Sequence, residues 1–331
     1  MEITLDTDAV NLTWVTDIHI AANPPGRRQD DYARAILDKL EFVRALTEQV
    51  KGACLCGGDF FHVKRPASSS NSLGLIIQCI LLLASFPQRR VFGAVGNHDI
   101  MYDDMGTLPH QPLGLLIAAG VYCDLNTGSV IFSNRDGSVK VQVETFPYAD
   151  GERTLERLLA SGPRPAGITY RVAIIHAYGQ PGNKGMMFAE RKIGYNELGG
   201  LDFDFCLWGH DHSRHGAETV GGITHVNLGS LARAAFASDE VERPVVAVAL
   251  SFSGDGVAYT EHPVPVKPLE LAFVAADKGV EDAAKADEVT EFFTEMDAAV
   301  EGLSAGEPRE VLAQLCPDKE LLDLVLQLCE L

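Results

Sequence analysis

The sequence predicts a layered α/β domain followed by an acidic helical segment. Up to about residue 262, short β-branched runs alternate with amphipathic helical patterns and then follow one another closely as strands. Residues 263–268 contain three prolines and are incompatible with a helix. We therefore predict a domain over residues 1–262, a proline-rich linker over residues 263–268 and a helical C-terminal region over residues 269–331.

Five predicted strands end at polar motifs. They cover residues 11–16, 53–56, 91–95, 171–175 and 203–208. Two helices are expected between the first three strands. One covers residues 30–50, with Asp30 placed to cap its amino end, and the other lies around residues 73–83.

The second half of the predicted domain is rich in strands. Residues 130–132 and 139–143 flank Arg135-Asp136-Gly137, which is typical of a hairpin turn. Later β-branched runs are expected to be antiparallel strands that complete a second sheet. These runs cover residues 222–228, 244–251 and 257–261.

The chain's 331 residues are 46% hydrophobic and carry a net charge of −19, a composition that indicates a globular protein. Most of the acidic excess lies in residues 269–331, which contain 16 acidic and 4 basic side chains. Apolar stripes there, over residues 281–303 and from Pro317 onward, predict amphipathic helices. Because bound divalent cations would add positive charge to the domain, the acidic total does not exclude a DNA substrate.

Neither export nor membrane contact is predicted. The longest apolar run is too short to span a bilayer, and the amino terminus lacks the basic start of a secretory signal. The seven cysteines lie mostly among apolar neighbours, as expected of free thiols in a reducing compartment. We therefore expect a cytoplasmic protein.

Five short polar motifs carry most of the functional information. They are Asp17-Ile18-His19, Gly57-Gly58-Asp59, Gly96-Asn97-His98-Asp99, His176 and Gly209-His210-Asp211-His212. Each follows a predicted strand, so the carboxylate, amide and imidazole groups are expected at one edge of a sheet. Six of the ten histidines fall in or beside these motifs, which favours a metal site over chance.

The residue types predict a pair of divalent cations. Oxygen ligands mixed with imidazole, without cysteine, suit Mn²⁺ better than a structural zinc ion. Asp17 and His19 are two residues apart on an extended segment and could face one ion. His210 and His212 have the same spacing, and Asp59 is placed to bridge both ions. Two cations about 3.5–4 Å apart would activate water and neutralise a phosphoryl group, so the motifs predict phosphoester hydrolysis.

The five motifs resemble those of the calcineurin-like metallophosphoesterases, whose fold consists of two packed mixed β-sheets flanked by helices. The resemblance implies two ligand sets that share one carboxylate. The first set would be Asp17, His19, Asp59 and His212. The second set would be Asp59, Asn97, His176 and His210.

The same resemblance implies two catalytic histidines that do not bind metal. His98 would protonate the leaving oxygen or stabilise its charge, with Asp99 as its orienting partner. Residues 58–66 resemble the signature of the nuclease subunits of SbcCD-type DNA repair complexes. In those subunits an aspartate, two large apolar residues and a histidine precede a basic stretch, which implies a nuclease-specific role for His62.

Substrate and partners follow from this resemblance as expectations. It implies an exonuclease and endonuclease for DNA that acts with an SMC-like ATPase subunit, and it leaves open a homodimer through the first helices. The helices after residue 268 would either complete the core or dock on the ATPase. The DNA-capping domain of these nucleases is larger than the acidic region of this chain.

Four basic residues are candidates for contacts with DNA phosphates. They are Lys64 and Arg65, which follow His62, and Arg27 and Arg28, which follow the first metal motif. The alternative is ordinary solvated charge, which we favour for Arg89 and Arg90.

Two other functions share the predicted metal site. A small-nucleotide phosphodiesterase or phosphatase would need the same ligands, although a protein phosphatase would be expected to carry Asp-Arg-Gly shortly after Asp59, where this chain has Phe-His-Val-Lys. A non-catalytic subunit stabilised by metal would have no need for His98.

The four histidines outside the motifs are expected on surfaces or in loops. They are His110, His215, His225 and His262.

Overall fold

A computed structural model describes residues 1–126, 128–149, 151–182, 186–187, 190–236 and 243–274. Residues Met1–Phe273 form one compact unit. The predicted helices over residues 281–303 and after Pro317 lie outside the described residues, so the helical region stays a prediction. Within the described part of the chain, no helix has the length and apolar character needed to cross a membrane.

One mixed sheet has six strands and carries the first three polar motifs. Its central strands run parallel, and the two strands at one edge are antiparallel. In spatial order the strands are β17 (Gly256–Pro263), β16 (Val246–Ser253), β2 (Val10–Val15), β3 (Ala53–Cys56), β4 (Val91–Gly93) and β5 (Tyr122–Asp124).

The other mixed sheet has seven strands and carries the two late histidine motifs. Its four central strands are parallel, and antiparallel pairings lie toward both edges. In spatial order the strands are β1 (Glu2–Thr4), β6 (Ser129–Ser133), β7 (Lys140–Phe146), β8 (Tyr170–His176), β13 (Phe205–Gly209), β15 (Ile223–Asn227) and β14 (Gly216–Val220).

Alternating side chains place a core between the two sheets. Leu12 and Trp14 of β2 pack in the same buried cluster as Val172 and Ile174 of β8. The residues between them on β8, such as Ala173, face a second cluster on the outer side of that sheet. The predicted fold of two packed mixed sheets flanked by helices is therefore confirmed.

Three helices cover the outer face of the six-stranded sheet. They are α1 (Tyr32–Gln49), α2 (Leu73–Ala84) and α3 (Pro112–Ala118). The predicted cap of the first helix is wrong by one residue: the side chain of Asp31 accepts the Arg34 amide hydrogen bond. Asp30 instead accepts hydrogen bonds from the Arg28 guanidinium.

Short elements connect the main layers. The seven-stranded sheet is covered by α4 (Gly151–Leu159) and a 3-10 helix over Tyr195–Leu198. The other short elements are strands β9 (Gly179–Gln180), β10 (Met186–Met187), β11 (Glu190–Arg191) and β12 (Ile193–Gly194), and 3-10 helices over Ser69–Asn71, Asn97–Asp99 and Met105–His110.

The late strands are divided between the sheets, which corrects the prediction that they complete one second sheet. β15 pairs in parallel with β13 in the seven-stranded sheet, whereas β16 pairs antiparallel with β2 in the six-stranded sheet. The hairpin of β6 and β7 forms around the predicted turn. Sequence patterns identify strands but not their neighbours, because pairing depends on contacts distant in the chain.

The proline-rich segment is packed on the compact unit. β17 continues to Pro263, Val264 is buried, and a short helix α5 (Leu269–Ala272) precedes the buried Phe273. The Phe273 backbone forms a bridge with Arg28. The compact unit thus ends at Phe273 rather than at residue 262.

Candidate metal centre

The first three polar motifs lie at the carboxyl ends of neighbouring parallel strands. Asp17 and His19 follow β2, Asp59 follows β3, and Asn97 and His98 begin the short 3-10 helix after β4. Because these strands are parallel neighbours, all three loops leave the six-stranded sheet at the same edge. The order of the strands in this sheet therefore brings the first three motifs together.

The two late motifs reach the same place from the seven-stranded sheet. His176 is the last residue of β8, and His210 directly follows β13, its parallel neighbour. A hydrogen bond of 3.1 Å from the His210 amide to each carboxylate oxygen of Asp17 joins the two sheet edges. The candidate site therefore lies where the two sheets meet.

One cluster contains Asp17, His19 and His212, whose candidate ligand atoms lie within 4.8 Å of one another. The Nε2 atoms of His19 and His212 are 2.9 Å apart. Oδ1 of Asp17 lies 3.9 Å from Nε2 of His19 and 3.8 Å from Nε2 of His212. Three ligand atoms facing a common point could hold one cation.

A second cluster contains Asp59, His176 and His210, again with ligand atoms within 4.8 Å of one another. Nε2 of His176 lies 3.4 Å from Oδ2 of Asp59 and 3.2 Å from Oδ1 of Asn97. The four residues predicted for a second ion thus lie together.

Asp59 lies between the two clusters. Its Oδ2 atom is 3.5 Å from Nε2 of His19 and 3.4 Å from Nε2 of His176. Its other oxygen, Oδ1, accepts a 2.8 Å hydrogen bond from the backbone amide of His98. The carboxylate is therefore held by one oxygen and presents the other to both clusters, which is the geometry that a bridging ligand requires.

Four of the seven candidate ligands have a left-handed backbone. The φ angles are +52° for Asp17, +45° for His19, +50° for Asp59 and +85° for His210. A non-glycine residue with positive φ is uncommon and carries a conformational cost, and such residues concentrate at functional sites. The fold therefore keeps four strained backbone conformations at residues of the candidate metal site.

Two glycines allow the strand ends to approach one another. A Cβ atom on Gly96 would lie 2.6 Å from the Asp59 backbone nitrogen. A Cβ atom on Gly58, whose φ is +100°, would lie 2.8 Å from Nδ1 of His176. The absence of a side chain at Gly58 and Gly96 therefore makes room for the ligands themselves.

Hydrogen bonds to the backbone fix the orientation of the ligands. Nδ1 of His176 lies 2.7 Å from the Gly57 carbonyl oxygen, so Nδ1 donates and Nε2 is the ring nitrogen that would bind a cation. The hydroxyl group of Thr16 donates to Asp17 at 2.6 Å. Ser230 donates its hydroxyl to the backbone oxygen of Asp17 at 2.9 Å. The sequence motifs did not indicate the roles of Thr16 and Ser230.

The electrostatic environment favours positive charge at the site. Burial opposes ionisation of Asp59, but His176, His98 and His19 outweigh it and hold the pKa of this carboxylate well below its usual value. Burial disfavours protonated His176, yet Asp59 raises the pKa of His176 to about 9. Burial lowers the pKa of His19 well below its usual value, which keeps its imidazole neutral. Buried carboxylates beside the neutral imidazole of His19 are donors that fit divalent cations, and a bound cation would take the place of the Nε2 proton of His176.

His98 lies beside the first cluster and is oriented by a backbone carbonyl group. Its ring centroid is 4.8 Å from that of His19, and its Nδ1 atom is 2.7 Å from the His62 carbonyl oxygen. The His62 ring is nearly parallel to the His98 ring at a centroid distance of 5.8 Å. His62 and His98 therefore form one unit at the edge of the candidate centre.

The predicted pairing of Asp99 with the His98 ring is corrected. The buried Asp99 carboxylate accepts backbone hydrogen bonds from Asp59 at 2.8 Å, Phe60 at 3.0 Å and Gly96 at 2.9 Å. Burial and then the Asp59 charge raise the pKa of Asp99 to about 7. Asp99 joins the two loops that carry Asp59 and His98, so it is a positioning residue.

The four basic candidates differ in their surroundings. Arg28 is buried, pairs in bidentate fashion with Asp30 and donates to the Arg233 carbonyl oxygen. The prediction that Arg28 contacts a substrate phosphate is therefore wrong, because the Asp30 carboxylate already neutralises its charge. Arg27, Lys64 and Arg65 are partly exposed. The side chain of Asn71 holds the Lys64–Arg65 loop by donating to the Val63 and Arg65 carbonyl oxygens.

Two features escaped the sequence analysis. The rings of Tyr178 and Tyr148 lie 4.2 Å and 5.4 Å from the His210 ring, where they flank the second cluster. His225 is fully buried rather than exposed: the Trp208 indole donates to its Nδ1 at 3.1 Å, and the Tyr195 ring stacks on it at 4.2 Å. The position of Tyr178 two residues after His176 could have indicated its role, but no local signal predicted the burial of His225.

Comparisons with known proteins place this chain in a family. A sequence profile of the family described as calcineurin-like phosphoesterase matches residues 10–214. The chain is similar to a 5′-nucleotidase precursor from Thermus thermophilus, with 14% identity and a TM-score of 0.46, over 86% of this chain and 59% of that one. It is similar to the calcineurin-like phosphoesterase YfkN from Bacillus subtilis, with 13% identity and a TM-score of 0.43, over 87% and 98%. No protein of curated function matches the sequence.

Proposed function

This chain belongs to the calcineurin-like phosphoesterase family, and from that premise we propose that it hydrolyses phosphoric esters and is a Mn²⁺-dependent DNA nuclease. Two ions would occupy the two clusters. The first would be held by Asp17, His19, Asp59 and His212, and the second by Asp59, Asn97, His176 and His210. The shared Oδ2 atom of Asp59 and the mixed oxygen and imidazole donors support this assignment.

When bound, two such cations supply positive charge to phosphoryl oxygens and lower the pKa of a coordinated water molecule. The chain's own residues would complete the reaction. Because Nδ1 of His98 donates to the His62 carbonyl group, Nε2 is the atom that would give a proton to the leaving oxygen when the ring carries protons on both nitrogens. The amide of His98 donates to Asp59, so one short segment positions both the bridging ligand and the acid.

The single observation that carries the DNA assignment is the segment from His62 to Arg65. Its first residue orients His98 through a carbonyl group, and its last two residues are partly exposed cations two and three positions further along the chain. A substrate with phosphates on both sides of the scissile bond would use such flanking charges, whereas a monophosphate would not. The resemblance of residues 58–66 to nuclease subunits supports the same substrate.

The test is hydrolysis by the full chain with Mn²⁺. We expect cleavage of labelled linear and hairpin DNA, and slower cleavage of bis-p-nitrophenyl phosphate. His62→Ala should lower DNA cleavage while retaining Mn²⁺ binding and the activity on the small diester. DNA cleavage by His62→Ala at the wild-type rate would remove the role of His62, and wild-type cleavage of cyclic nucleotides alone would remove DNA as the substrate.

The basic loop has a matched control. The double variant Lys64→Gln/Arg65→Gln should weaken DNA binding. The slope of the logarithm of affinity against the logarithm of salt concentration should become shallower by about one unit for each phosphate that the loop no longer neutralises. Arg89→Gln/Arg90→Gln changes charge by the same amount on a surface that we interpret as solvated. Equal effects of the two double variants would contradict a specific role for the loop.

A small-nucleotide phosphodiesterase is the second candidate, and one observation favours it. Tyr178 and Tyr148 flank His210 and could stack on a single nucleobase. Tyr178→Ala should then raise KM for cyclic nucleotides more than it alters DNA cleavage. The reverse result would support the nuclease.

Two partners remain proposals. An SMC-like ATPase would dock on residues 274–331, and a truncation after Phe273 that keeps diesterase activity but loses ATPase association would support this. A second copy of the chain would pack on α2, which contains no charged residue and exposes 74% of Leu73, 55% of Ile77 and 66% of Leu81. In a chain with a net charge of −19, this neutral face is a surface on which two copies would not repel each other.

A further inference from the structure

A short segment after β15 contacts the backbone of two candidate ligands that come from different sheets. β15 ends at Asn227, and residues 227–232 then cross from the seven-stranded sheet to the loop that follows β2. The first ligand set takes Asp17 from the loop after β2 and His212 from the loop after β13. Because these two loops leave different sheets, a segment that binds both can set the distance between the two ligands.

The side chain of Asn227 connects the segment to the loop that carries His212. It is fully buried and donates from Nδ2 to the Asp211 carbonyl oxygen at 3.3 Å, and its Oδ1 accepts from the Gly229 amide at 2.7 Å. The backbone carbonyl oxygen of Asn227 accepts from the His215 amide at 3.2 Å. The loop is therefore bonded to Asn227 on both sides of the candidate ligand.

Gly229 allows the segment to approach His212 closely. Its φ is +66°, and a Cβ atom there would lie 2.4 Å from the His212 carbonyl oxygen. The Ser230 amide donates to that same oxygen at 3.4 Å. A side chain at position 229 would push the loop away. The backbone of His212 is thus in direct contact with the segment.

The other end of the segment holds Asp17. The buried Ser230 hydroxyl donates to the Asp17 carbonyl oxygen at 2.9 Å, which is nearer than its other acceptor, the Ala232 carbonyl oxygen at 3.2 Å. The Ala232 amide also donates to the Asp17 carbonyl oxygen, at 3.2 Å. The Leu231 amide donates to the carbonyl oxygen of Thr16 at 2.9 Å. The backbone on which Asp17 stands is therefore fixed by the same segment that contacts His212.

The first ligand set should depend on this segment more than the second set does. The side chain of His212 is 32% exposed, whereas those of the other three members of its set are at most 2% exposed. Packing holds a buried side chain in place, so an exposed ligand depends more on its backbone. His210 of the second set has other supports, because its amide donates to the Asp17 carboxylate and its ring lies beside Tyr178.

We propose that Asn227 and Ser230 are positioning residues that set the distance between Asp17 and His212 and so control the affinity for the first ion. The inference rests on the proposed two-ion centre. Both side chains act through the backbone of the ligand loops and have no contact with the ion. Removing a group that holds a metal ligand in place typically weakens metal affinity by about 10–100-fold.

The experiment is calorimetric titration of the full chain with Mn²⁺, together with EPR spectroscopy of the loaded protein. The wild type should bind two ions, and their spins should couple because they would lie about 3.5–4 Å apart. Asn227→Ala and Ser230→Ala should each weaken the binding of one ion by about 10–100-fold and retain the other. At a Mn²⁺ concentration that fills only the stronger site, the spectra of both variants should show a single uncoupled ion.

Two matched variants control for general destabilisation. Asn134 is also buried and bonded to backbone, since it donates to the Asp8 carbonyl oxygen and accepts from the Val139 amide. Ser133 is buried with its hydroxyl 3.1 Å from that of Thr4. Neither control lies on a strand or loop that carries a candidate ligand. Asn134→Ala and Ser133→Ala should bind both ions as the wild type does.

Wild-type affinity for both ions in Asn227→Ala and Ser230→Ala would overturn the positioning role and leave the two-ion centre standing. Equal weakening of both ions, or the same weakening by the controls, would indicate general destabilisation and would also overturn it. A wild-type protein that binds fewer than two Mn²⁺ would overturn the two-ion centre, and this role with it. If Asn227→Ala does not fold, Ser230→Ala, which removes one oxygen atom, still decides the question.

Discussion

The Nδ1 atom of His98 lies 2.7 Å from the backbone carbonyl oxygen of His62. A carbonyl oxygen only accepts, so this contact fixes the imidazole tautomer and leaves Nε2 as its second functional atom. The backbone amide of His98 meanwhile donates to Asp59. The side chain of His98 can therefore be changed without removing the hydrogen bond that holds the candidate bridging ligand.

We expect His98→Ala to lower kcat on phosphodiesters by about 10²–10⁴-fold, the range typical of a lost general acid. Mn²⁺ stoichiometry should remain that of the wild type, because the amide contact to Asp59 is retained. Steady-state kinetics and metal analysis of the purified variant check both expectations. A loss of bound metal would make His98 a ligand or a structural residue instead.

We expect Asp59→Asn to weaken Mn²⁺ binding by more than about 100-fold at one site or both, because the Oδ2 atom that faces His19 and His176 loses its charge. The amide oxygen of asparagine can still accept the His98 hydrogen bond, so folding should be retained. Calorimetric titration with Mn²⁺ measures the effect. Wild-type affinity at two sites would contradict a shared carboxylate.

Asp99→Ala should reduce the free energy of unfolding by about 3 kcal/mol or more, since three buried backbone amides lose their acceptor. Asp104→Ala is the matched control, because Asp104 caps an exposed 3-10 helix through a single bond to Gly106. Its cost should be about 1 kcal/mol. Urea denaturation of the metal-free proteins compares them, and equal costs would argue against a positioning role for Asp99.

His225 should make the protein sensitive to mild acid. Burial lowers the pKa of His225 from 6.5 to about 4, so between these values the unfolded state binds more protons than the folded state. Its contribution to stability is therefore present above pH 6.5 and is lost as the pH falls toward 4, by up to about 3 kcal/mol. Unfolding free energies of the wild type and His225→Phe at pH 7.5 and pH 5 provide the measurement.

Phenylalanine can retain the stacking on Tyr195 but cannot take a proton. The difference in stability between the two pH values should thus be smaller in the variant than in the wild type. An identical difference would mean that His225 does not contribute to the pH dependence.

The exposed face of α2 predicts self-association. Ile77→Glu places a charge in the middle of the stripe formed by Leu73, Ile77 and Leu81 and should convert a dimer to a monomer. Leu159→Glu is the control, because Leu159 is similarly exposed, at 55%, at the end of α4. Light scattering after gel filtration distinguishes the two. A monomeric wild-type protein would remove the proposed homodimer.

The ligand motifs could be predicted because their chemistry is local. An aspartate or histidine directly after a β-branched run needs no knowledge of distant contacts to be recognised as a residue at a strand end. The alternation of strand and helix patterns also predicted a layered α/β domain, whereas the two packed mixed sheets were an implication of the family resemblance. The boundaries of α1 and α2 followed from helical spacing.

Other roles depended on partners far away in the chain. Arg28 resembles a phosphate contact, but it is buried in an ion pair with Asp30, and distant partners hold it there: the Arg233 carbonyl oxygen and the Phe273 ring. Asp99 binds the loop of Asp59 and not the ring of its neighbour His98. His225 is buried because β15 joins β13 instead of extending the other sheet.

By itself, the sequence determined which side chains this protein offers for metal and phosphate chemistry, because residue type and position at a strand end are properties of a short segment. Only the tertiary structure decided which of them face one another, and it placed one oxygen of Asp59 between His19 and His176. The physical reason is that the packing of two sheets fixes distances between residues that lie far apart in the chain, and both charge pairing and burial depend on those distances.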